Sequence, residues 1–360
     1  MPPPLATLEA PPQLAALDPV ADAACRGLAA TPKSLPPWLF YDAPGSRLFE
    51  QITTLPEYYL TRTERALFAA HANEIFDLVT SSTSNLQPPT PNSPLTIAEL
   101  GAGTASKTGI LLRALTRLQP HVLYQPIDIS PTALDEARAQ IELTIPSVTV
   151  RPRIANYITD TVRIERPFHA RVPTRILALY IGSSIGNFSP AEARQILTRL
   201  RSELAPGDAL LLGADLAPMP GANGQVSGPA KSIATLLAAY NDSAGITAAF
   251  NRNILARLNC ELGADFRPDR FLHRALWNPT HSRIEIYLES IAAQTACIPA
   301  NSAGAALTLH FAAGETIHTE NSYKFTPAAI AALLADSAFT PTRTFTDADN
   351  LFAVTLAQAI

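Results

Sequence analysis

Residues 98–108 read Ala-Glu-Leu-Gly-Ala-Gly-Thr-Ala-Ser-Lys-Thr and follow on from the apolar stretch 94–98. This segment predicts a short strand, a glycine turn and then a helix over residues 107–118. Gly101 and Gly103 carry no Cβ, so the backbone can turn tightly there and come close to a ligand. The N-terminus of the next helix adds free N–H groups and the positive end of its dipole. A doubly wound α/β domain begins its cofactor site with this arrangement.

Alternating strands and helices continue beyond the turn, after an earlier helix predicted at 63–79. Ser130-Pro131 and Ser189-Pro190 each place a capping serine before a proline at the first helical position. Repeated βα units imply a parallel sheet with helices on both faces, so the predicted fold class is α/β. The predicted strands are 95–99, 124–129, 148–153, 175–181 and 209–214, and the helices between them are 107–118, 131–145 and 191–204.

The pattern changes after Asp215. A linker rich in Pro and Gly is followed by a long helical region, interrupted near residues 241–245, and by strands of alternating polarity. These strands predict an antiparallel α+β unit inserted near the end of the α/β domain. The predicted elements are helix 233–261, strands 271–278, 282–290, 307–312 and 315–322, and a closing helix 327–335 with strands 342–345 and 351–356.

Composition excludes several classes of protein. Of the 360 residues 47% are apolar and 16% charged, and the net charge is −4, so a nucleic-acid partner is not expected. Three scattered cysteines indicate neither a disulfide framework nor a zinc site. The Pro-rich start has no basic region, and no apolar run is long enough to span a bilayer. We therefore expect a cytoplasmic protein with a flexible tail over residues 1–20 and no membrane or metal partner.

Three kinds of cofactor compete for the glycine turn. Residues 101–108 nearly match a P-loop but lack its glycine at Ser106, and Asp215 would have to hold Mg²⁺. A dinucleotide site also lacks its third glycine there. S-adenosylmethionine carries no phosphate, so a close glycine turn with Glu99 beneath it and Asp128 for the ribose would suffice. An alternative role for Asp128 is to cap the next helix, although Ser130 is the better cap. Lys107 is equally well explained as a solvated residue.

Five segments resemble the L-histidine Nα-methyltransferases of ergothioneine biosynthesis. They occur in the family's order at 41–64, 99–108, 180–188, 240–251 and 319–325. The resemblance implies a Rossmann-like class I methyltransferase sheet and a second α+β substrate-binding domain. The first would comprise residues 63–217 and 324–360, and the second residues 21–62 and 218–323.

The resemblance also implies a set of cofactor contacts. S-adenosylmethionine would lie on Gly101 and Gly182, near Lys107, with its ribose on Asp128. The adenine would lie beside residues 156–157. Here Asn156-Tyr157 replaces the family's Asp-Phe or Asp-Tyr pair, so the acceptor is an amide oxygen and the charge-assisted part of the bond is lost.

Substrate contacts follow from the resemblance in the same way. Asn187 and Tyr240 match residues that hold the amino-acid carboxylate. Tyr58 matches a tyrosine near the amino group, and Tyr41 one that contacts the substrate through water. Tyr58, Asn187 and Tyr240 would contribute to catalysis by positioning the substrate.

Glu320 and Ser322 match the pair that binds the imidazole, with a carboxylate and a hydroxyl for its two nitrogens. Ile286 stands where family members often have Met, and its stiffer side chain puts the fit of the ring in question. Simple alternation places His318 on the same strand face as Glu320 and Ser322. Without the resemblance, Tyr41 and Tyr58 could equally be packing aromatics, Asn187 a turn residue and Glu320 a solvent-facing residue.

The implied activity is transfer of methyl groups from S-adenosylmethionine to the α-amine of L-histidine, three times, giving hercynine and S-adenosylhomocysteine. We expect a monomer that uses no metal. Three alternatives stay open: another amino acid or amine as acceptor, an ATPase or GTPase using residues 106–108, and a non-catalytic cofactor-binding module.

Overall fold

The computed structural model describes residues 18–81, 94–158, 160, 162–169, 172–218 and 231–360. Short 3-10 helices lie at Pro37–Phe40, Ser184–Asn187 and Pro268–Arg270. The α-helices within these ranges are α1 Pro19–Ala29, α2 Ala43–Thr54, α3 Tyr59–Ser81, α4 Thr108–Leu115, α5 Pro131–Thr144, α6 Pro190–Ser202, α7 Ile233–Tyr240, α8 Ile246–Leu262 and α9 Pro327–Asp336.

The strands form one large sheet and smaller ones. They are β1 Lys33–Ser34, β2 Leu95–Leu100, β3 Val122–Asp128, β4 Val148–Val150, β5 Arg153–Ile154, β6 Phe168–His169, β7 Val172–Pro173, β8 Arg175–Tyr180, β9 Ala209–Asp215, β10 Phe271–Asn278, β11 Arg283–Ser290, β12 Gln294–Ile298, β13 Leu307–Phe311, β14 Thr316–Tyr323, β15 Phe339–Thr346 and β16 Phe352–Ala359.

The large sheet has the order β15-β16-β9-β8-β2-β3-β4, with β5 also paired to β3. Strands β9, β8, β2, β3 and β4 run parallel, and β16 runs antiparallel to both β9 and β15. Every residue of β2 and β9 is buried, as expected of central strands covered on both faces. The strand order reverses between β2 and β8, where an open α/β sheet places its ligand site. The predicted α/β class is confirmed.

A second sheet has the order β1-β14-β11-β10, and its first strand comes from the N-terminal segment. A separate hairpin joins β12 and β13, of which only β13 was predicted. The N-terminal helices α1 and α2 were also not predicted. The predicted tail extends too far, because α1 begins at Pro19 and Val20 is only 7% exposed. The rest of that tail, residues 1–17, lies outside the described residues.

A β-bulge interrupts the pairing of β11 with β14. Ile286 lies opposite Glu320 and Tyr287 lies opposite His318, so Thr319 is an extra residue in β14. The prediction that His318 shares a face with Glu320 is therefore wrong. His318 packs edge-to-face against Tyr287 on the other face, with ring centroids 5.2 Å apart.

Across the described ranges, we find no helix that is both long enough and apolar enough to cross a membrane.

Candidate active site

The glycine turn at the end of β2 is closed against β3. Gly101 has φ +66°, which favours glycine, and its N–H donates to the Ile127 carbonyl at 2.8 Å. Asp128 accepts from the N–H groups of Gly103 and Ser130, each at 2.9 Å, with different carboxylate oxygens. Burial raises the pKa of Asp128, although these backbone bonds oppose the shift. Each oxygen keeps a further lone pair, which suits two vicinal hydroxyls.

Ser130 is the N-cap of α5, as predicted: its Oγ accepts from the Ala133 N–H at 3.3 Å. Asp128 is therefore not needed as the cap of that helix.

Lys107 is held beside the glycine turn by a buried acid. Its Nζ donates to Glu64 Oε2 at 2.6 Å, and Glu64 Oε1 accepts from the Gly182 N–H at 2.8 Å. The side chain of Glu64 has no exposed surface, whereas that of Lys107 is 20% exposed. Gly182 has φ +76°, a backbone conformation that favours glycine, and a Cβ there would also lie 2.7 Å from Lys107 Nζ. The alternative of a solvated Lys107 is wrong.

Tyr157 packs over the same turn. A Cβ at Gly101 would lie 3.5 Å from its hydroxyl oxygen, and its ring centroid is 5.7 Å from that of Tyr180. Burial raises the pKa of Tyr157 to about 12, so the phenol stays protonated. Asn156 Oδ1 accepts from the Ile158 N–H at 3.0 Å and so shapes its own loop. Its contact with adenine stays a prediction.

Glu99 and Asp215 are both occupied by bonds within the protein. Glu99 is 2% exposed, and its Oε2 accepts from the hydroxyls of Tyr124 and Thr108, the latter at 2.6 Å. Burial raises the pKa of Glu99 to about 7. Asp215 pairs with Lys231 and Lys324. A P-loop would need the Thr108 hydroxyl and the Asp215 carboxylate for Mg²⁺, so the geometry argues against it.

Several aromatic rings from the N-terminal segment and from α7 and α8 pack against one another. The ring centroid of Tyr41 lies 5.8 Å from that of Phe250, and the centroid of Tyr58 lies 6.4 Å from that of Phe49 and 6.3 Å from that of Tyr240. In the part of the chain that the structure describes, the hydroxyls of Tyr41 and Tyr58 have no hydrogen-bond partner. Burial raises the pKa of both phenols well above the ordinary value, so both stay protonated.

Tyr240 and Ser322 form a hydroxyl pair with their oxygens 2.8 Å apart. Lys324 Nζ lies 2.7 Å from the Tyr240 oxygen, 2.8 Å from Ser322 Oγ and 2.8 Å from Asp215 Oδ2. Asp215 also accepts from the Tyr59 hydroxyl at 2.9 Å. Burial alone would raise the pKa of Asp215, but the charges of Lys324 and Lys231 lower it overall.

Glu320 lies within electrostatic reach of Tyr41 and Tyr58, since its charge raises the pKa of both phenols. It is partly buried, and its carboxylate has no hydrogen-bond partner within the described ranges. Burial raises its pKa to about 7, against the lowering effect of Lys324. Ile286, 3% exposed, lies directly across the strand pair. The alternative of a solvent-facing Glu320 is wrong.

Asn187 ends the 3-10 helix that follows β8. This helix is packed tightly on β14, since a Cβ at Gly186 would lie 2.8 Å from the Tyr323 carbonyl oxygen. The Asn187 amide has no partner in the described part of the chain, so its donors are available.

The two groups of residues are close enough to interact electrostatically. The charges of Glu320 and Asp128 both raise the pKa of Tyr41, so this phenol lies within electrostatic reach of both carboxylates. The pKa of Tyr58 responds in the same way to Glu320 and to Glu64, the partner of Lys107. These shifts relate the predicted cofactor residues to the predicted substrate residues through electrostatics alone. That they form one binding site stays a prediction.

Comparison with known proteins identifies the family. Residues 20–359 match the family described as histidine-specific methyltransferase, SAM-dependent. The chain belongs to this family. It is 38% identical to the histidine N-alpha-methyltransferases of Mycolicibacterium smegmatis and Mycobacterium tuberculosis, over 92% of this chain and 92% of each relative. It is 31% identical to ergothioneine biosynthesis protein 1 of Neurospora crassa, over 64% of this chain and 23% of that protein.

Family membership confirms that the chain is an enzyme of the S-adenosylmethionine-dependent methyltransferases. Family membership gives no support to two of the alternatives from the sequence analysis, an ATPase or GTPase and a non-catalytic cofactor-binding module.

Sequence reasoning missed several residues that support this methyltransferase site. Glu64 falls on the buried face of its helix, four residues after Leu60 and four before Phe68, and that spacing could have revealed it. Asn251 accepts from the Thr319 hydroxyl at 2.8 Å, and its amide nitrogen lies 2.9 Å from His273 Nδ1. No sequence pattern points to that link, because it joins three separate elements.

Proposed function

We propose that this enzyme transfers methyl groups from S-adenosylmethionine to the α-amine of L-histidine, three times, giving hercynine in ergothioneine biosynthesis. The observation that carries the proposal is Glu320, a partly buried carboxylate without a hydrogen-bond partner in the described part of the chain. It lies on the same strand as Ser322, whose hydroxyl is held in place. An imidazole presents one N–H and one lone pair, which these two groups complement.

The amino-acid end of the substrate would be held by neutral donors. Asn187 and Tyr240 would bind the carboxylate, Tyr58 would face the α-amine, and Tyr41 would contact the substrate through water. Unpaired donors in a desolvated site favour a ligand that supplies the missing acceptors and disfavour one that does not. Ile286 would provide the apolar side of the ring pocket.

The methyl donor would lie on the glycine turn. Gly101 gives the close approach, Asp128 keeps lone pairs for the ribose hydroxyls, and Lys107 is fixed by Glu64 near Gly182. Asn156 and Tyr157 would border the adenine.

Catalysis would rest on positioning. The sulfonium of the bound cofactor supplies an electrophilic methyl group. Tyr58, Asn187 and Tyr240 would hold the neutral amine in line with that carbon, and holding two reactants in near-attack geometry lowers a barrier substantially. No strong base is needed, because the amine can lose its proton to water before each transfer. The Tyr58 oxygen would accept an N–H of the neutral amine in the first two transfers, which leaves the nitrogen lone pair free to face the methyl carbon.

The test is incubation of the purified enzyme with L-histidine and S-adenosylmethionine carrying deuterated methyl groups. Mass spectrometry should show species with one, two and three labelled methyl groups, and fragmentation should place them on the α-nitrogen. Glu320→Ala should lower kcat/KM for histidine at least tenfold. The matched variant Glu315→Ala lies near the start of the same strand, where Glu315 pairs with Lys33, and should stay within about twofold. Absence of any labelled histidine would refute the proposal.

A different amino-acid acceptor is the second candidate, and Ile286 in place of Met is the observation that favours it. A β-branched side chain is stiffer and fills the ring pocket differently. Competition among histidine, tryptophan and tyrosine in one reaction should yield methylated histidine almost exclusively. Preferential labelling of another amino acid would select the second candidate.

The proposal includes an arrangement in two domains. The large sheet, with residues 63–217 and 324–360, would bind the methyl donor, and residues 21–62 and 218–323 would bind the amino acid. Contacts of Tyr58 and Tyr240 across these segments support this division. A cytoplasmic monomer without a metal remains our expectation.

A further inference from the structure

We propose that Lys324 is a positioning residue that makes the Tyr240–Ser322 hydroxyl pair a hydrogen-bond donor toward the amino-acid substrate. This inference rests on the proposed function and concerns a residue to which the family resemblance gives no role.

Lys324 makes three contacts that use its whole donor capacity. An ammonium group has three N–H bonds and accepts none. Its Nζ lies 2.7 Å from the Tyr240 oxygen and 2.8 Å each from Ser322 Oγ and Asp215 Oδ2. The side chain has no exposed surface. Every proton of the ammonium therefore has an acceptor inside the protein.

These contacts determine which way the two hydroxyl protons point. Neither hydroxyl can donate to an ammonium, so Tyr240 and Ser322 both accept from Lys324. One of their two protons lies in the 2.8 Å bond between them. The other points away from Lys324 and out of the hydroxyl pair, so it is free to meet an acceptor on a substrate. When a substrate supplies acceptors, both protons can turn to it, because each oxygen keeps the bond from Lys324.

The consequence is a rule for the substrate. Since Lys324 occupies one lone pair of each oxygen, the two hydroxyls favour acceptors: a carboxylate oxygen at Tyr240 and a ring nitrogen with a free lone pair at Ser322. Glu320 then takes the ring N–H on the other side. The site would thus select a neutral imidazole in one orientation and disfavour rings without a lone pair.

A purely structural role for Lys324 would be to neutralise Asp215. Lys231 does this as well: its Nζ pairs with Asp215 Oδ1, and its side chain is 5% exposed. Within the described residues, Lys231 Nζ has no hydrogen bond to Tyr240 or Ser322. The two lysines therefore share one buried carboxylate, while only Lys324 touches the hydroxyl pair, which makes Lys231 a matched control.

The experiment compares Lys324→Met, Ser322→Ala, the double variant and Lys231→Met, with KM for histidine and the dissociation constant of S-adenosylmethionine as readouts. Lys324→Met should raise KM for histidine at least tenfold and leave cofactor binding within about twofold. Because Lys324 acts through the hydroxyls, the KM of the double variant should be close to that of Lys324→Met. It should not rise by the product of the two single effects. Lys231→Met should leave KM within about threefold.

Conservative variants and substrates sharpen the outcome. Lys324→Arg keeps the charge but not the tetrahedral set of donors, so its KM for histidine should lie between those of the wild type and Lys324→Met. If Lys324→Met does not fold, Lys324→Arg replaces it in the comparison with Ser322→Ala. The preference for histidine over thienylalanine, whose ring has no nitrogen, should shrink in both Lys324 variants. Two results would overturn this inference but not the proposed function. One is a rise in KM of the double variant equal to the product of the two single effects, and the other is a rise in KM of Lys231→Met as large as that of Lys324→Met. A wild-type enzyme inactive on histidine would overturn the proposed function and this inference together.

Discussion

The protonation state of Glu320 decides whether its carboxyl group offers an anionic acceptor to the substrate ring. Its carboxylate is desolvated, it has no hydrogen-bond partner among the described residues, and its pKa is raised to about 7. A raised pKa means that the group becomes protonated as the pH falls below 7 and then no longer offers an anionic acceptor to a ring N–H. Histidine recognition should therefore weaken on the acid side of neutrality.

We predict that KM for histidine rises about tenfold between pH 8 and pH 6, because one unit below the pKa leaves roughly a tenth of the carboxylate ionised. Steady-state kinetics across this range would measure it. Glu320→Gln should have a high KM at pH 8 and only the weaker pH dependence due to the substrate's own imidazole. Parallel profiles for the wild type and Glu320→Gln would contradict the assignment.

At the scale of elements, the sequence predicted regular features well. The glycine turn, the serine caps and the alternation of strands and helices depend on local patterns, and the structure reproduces them at β2, α5 and α6. The predicted strand 148–153 is the exception, since it is divided into β4 and β5. Residues that the resemblance marked, such as Tyr58 and Glu320, are brought together, although their roles remain proposals.

The features that sequence could not predict arise from long-range pairing. His318 was placed on the wrong face because a bulge changes the alternation of β14, and a bulge becomes visible only when the partner strand is known. No sequence pattern points to a role for Lys324, since its partner Asp215 is far away in the chain. The strand β1 is only two residues long and gains its place by pairing with β14.

The bulge in β14 gives a prediction at this scale. Thr319 donates to Asn251 Oδ1 at 2.8 Å and lies 3.2 Å from the Ile286 carbonyl oxygen. Thr319→Val keeps the shape but leaves a buried acceptor unpaired, which costs about 1–3 kcal/mol. We expect lower stability in urea unfolding and a severalfold higher KM for histidine, because Glu320 follows directly in the chain.

Thr355→Val provides the comparison for this variant. Thr355 is 1% exposed in β16, and its hydroxyl lies 3.2 Å from that of Thr344, away from the second sheet. It should lose some stability while KM for histidine stays unchanged. If both variants raised KM alike, the bulge would have no special part in orienting Glu320.

At the scale of the whole molecule, Glu99 couples stability to pH. Its folded pKa of about 7 lies above the ordinary value of 4.5. The folded state therefore binds the proton more tightly than the unfolded state, and this contribution is complete below about pH 4.5 and is lost as the pH rises through 7. Between pH 6 and pH 8 the loss should be roughly 1 kcal/mol.

We expect the free energy of unfolding to fall over this pH range in the wild type, and to fall less in Glu99→Gln, which mimics the protonated acid. Urea titrations at pH 6 and pH 8 would measure both. Glu136→Gln, which removes a charge from the exposed face of α5, should behave like the wild type. An unchanged slope in Glu99→Gln would show that another group dominates.

The chain leaves the large sheet after β9 and rejoins it after β14 at a single place. The Phe325 N–H donates to the Asp215 carbonyl at 2.9 Å, and the Ala217 N–H donates to the Phe325 carbonyl at 2.8 Å. We call this meeting of residues 215–217 with Phe325 the seam. During evolution, recombination at the seam could replace the segment between β9 and β14 and leave the glycine turn unchanged. Asp215 and Lys324 remain with the sheet, so a replacement segment without an equivalent of Lys231 would leave the buried Asp215 with one of its two cations. The charge balance around Asp215 would therefore limit which new acceptor specificities the enzyme could gain by exchanging this segment.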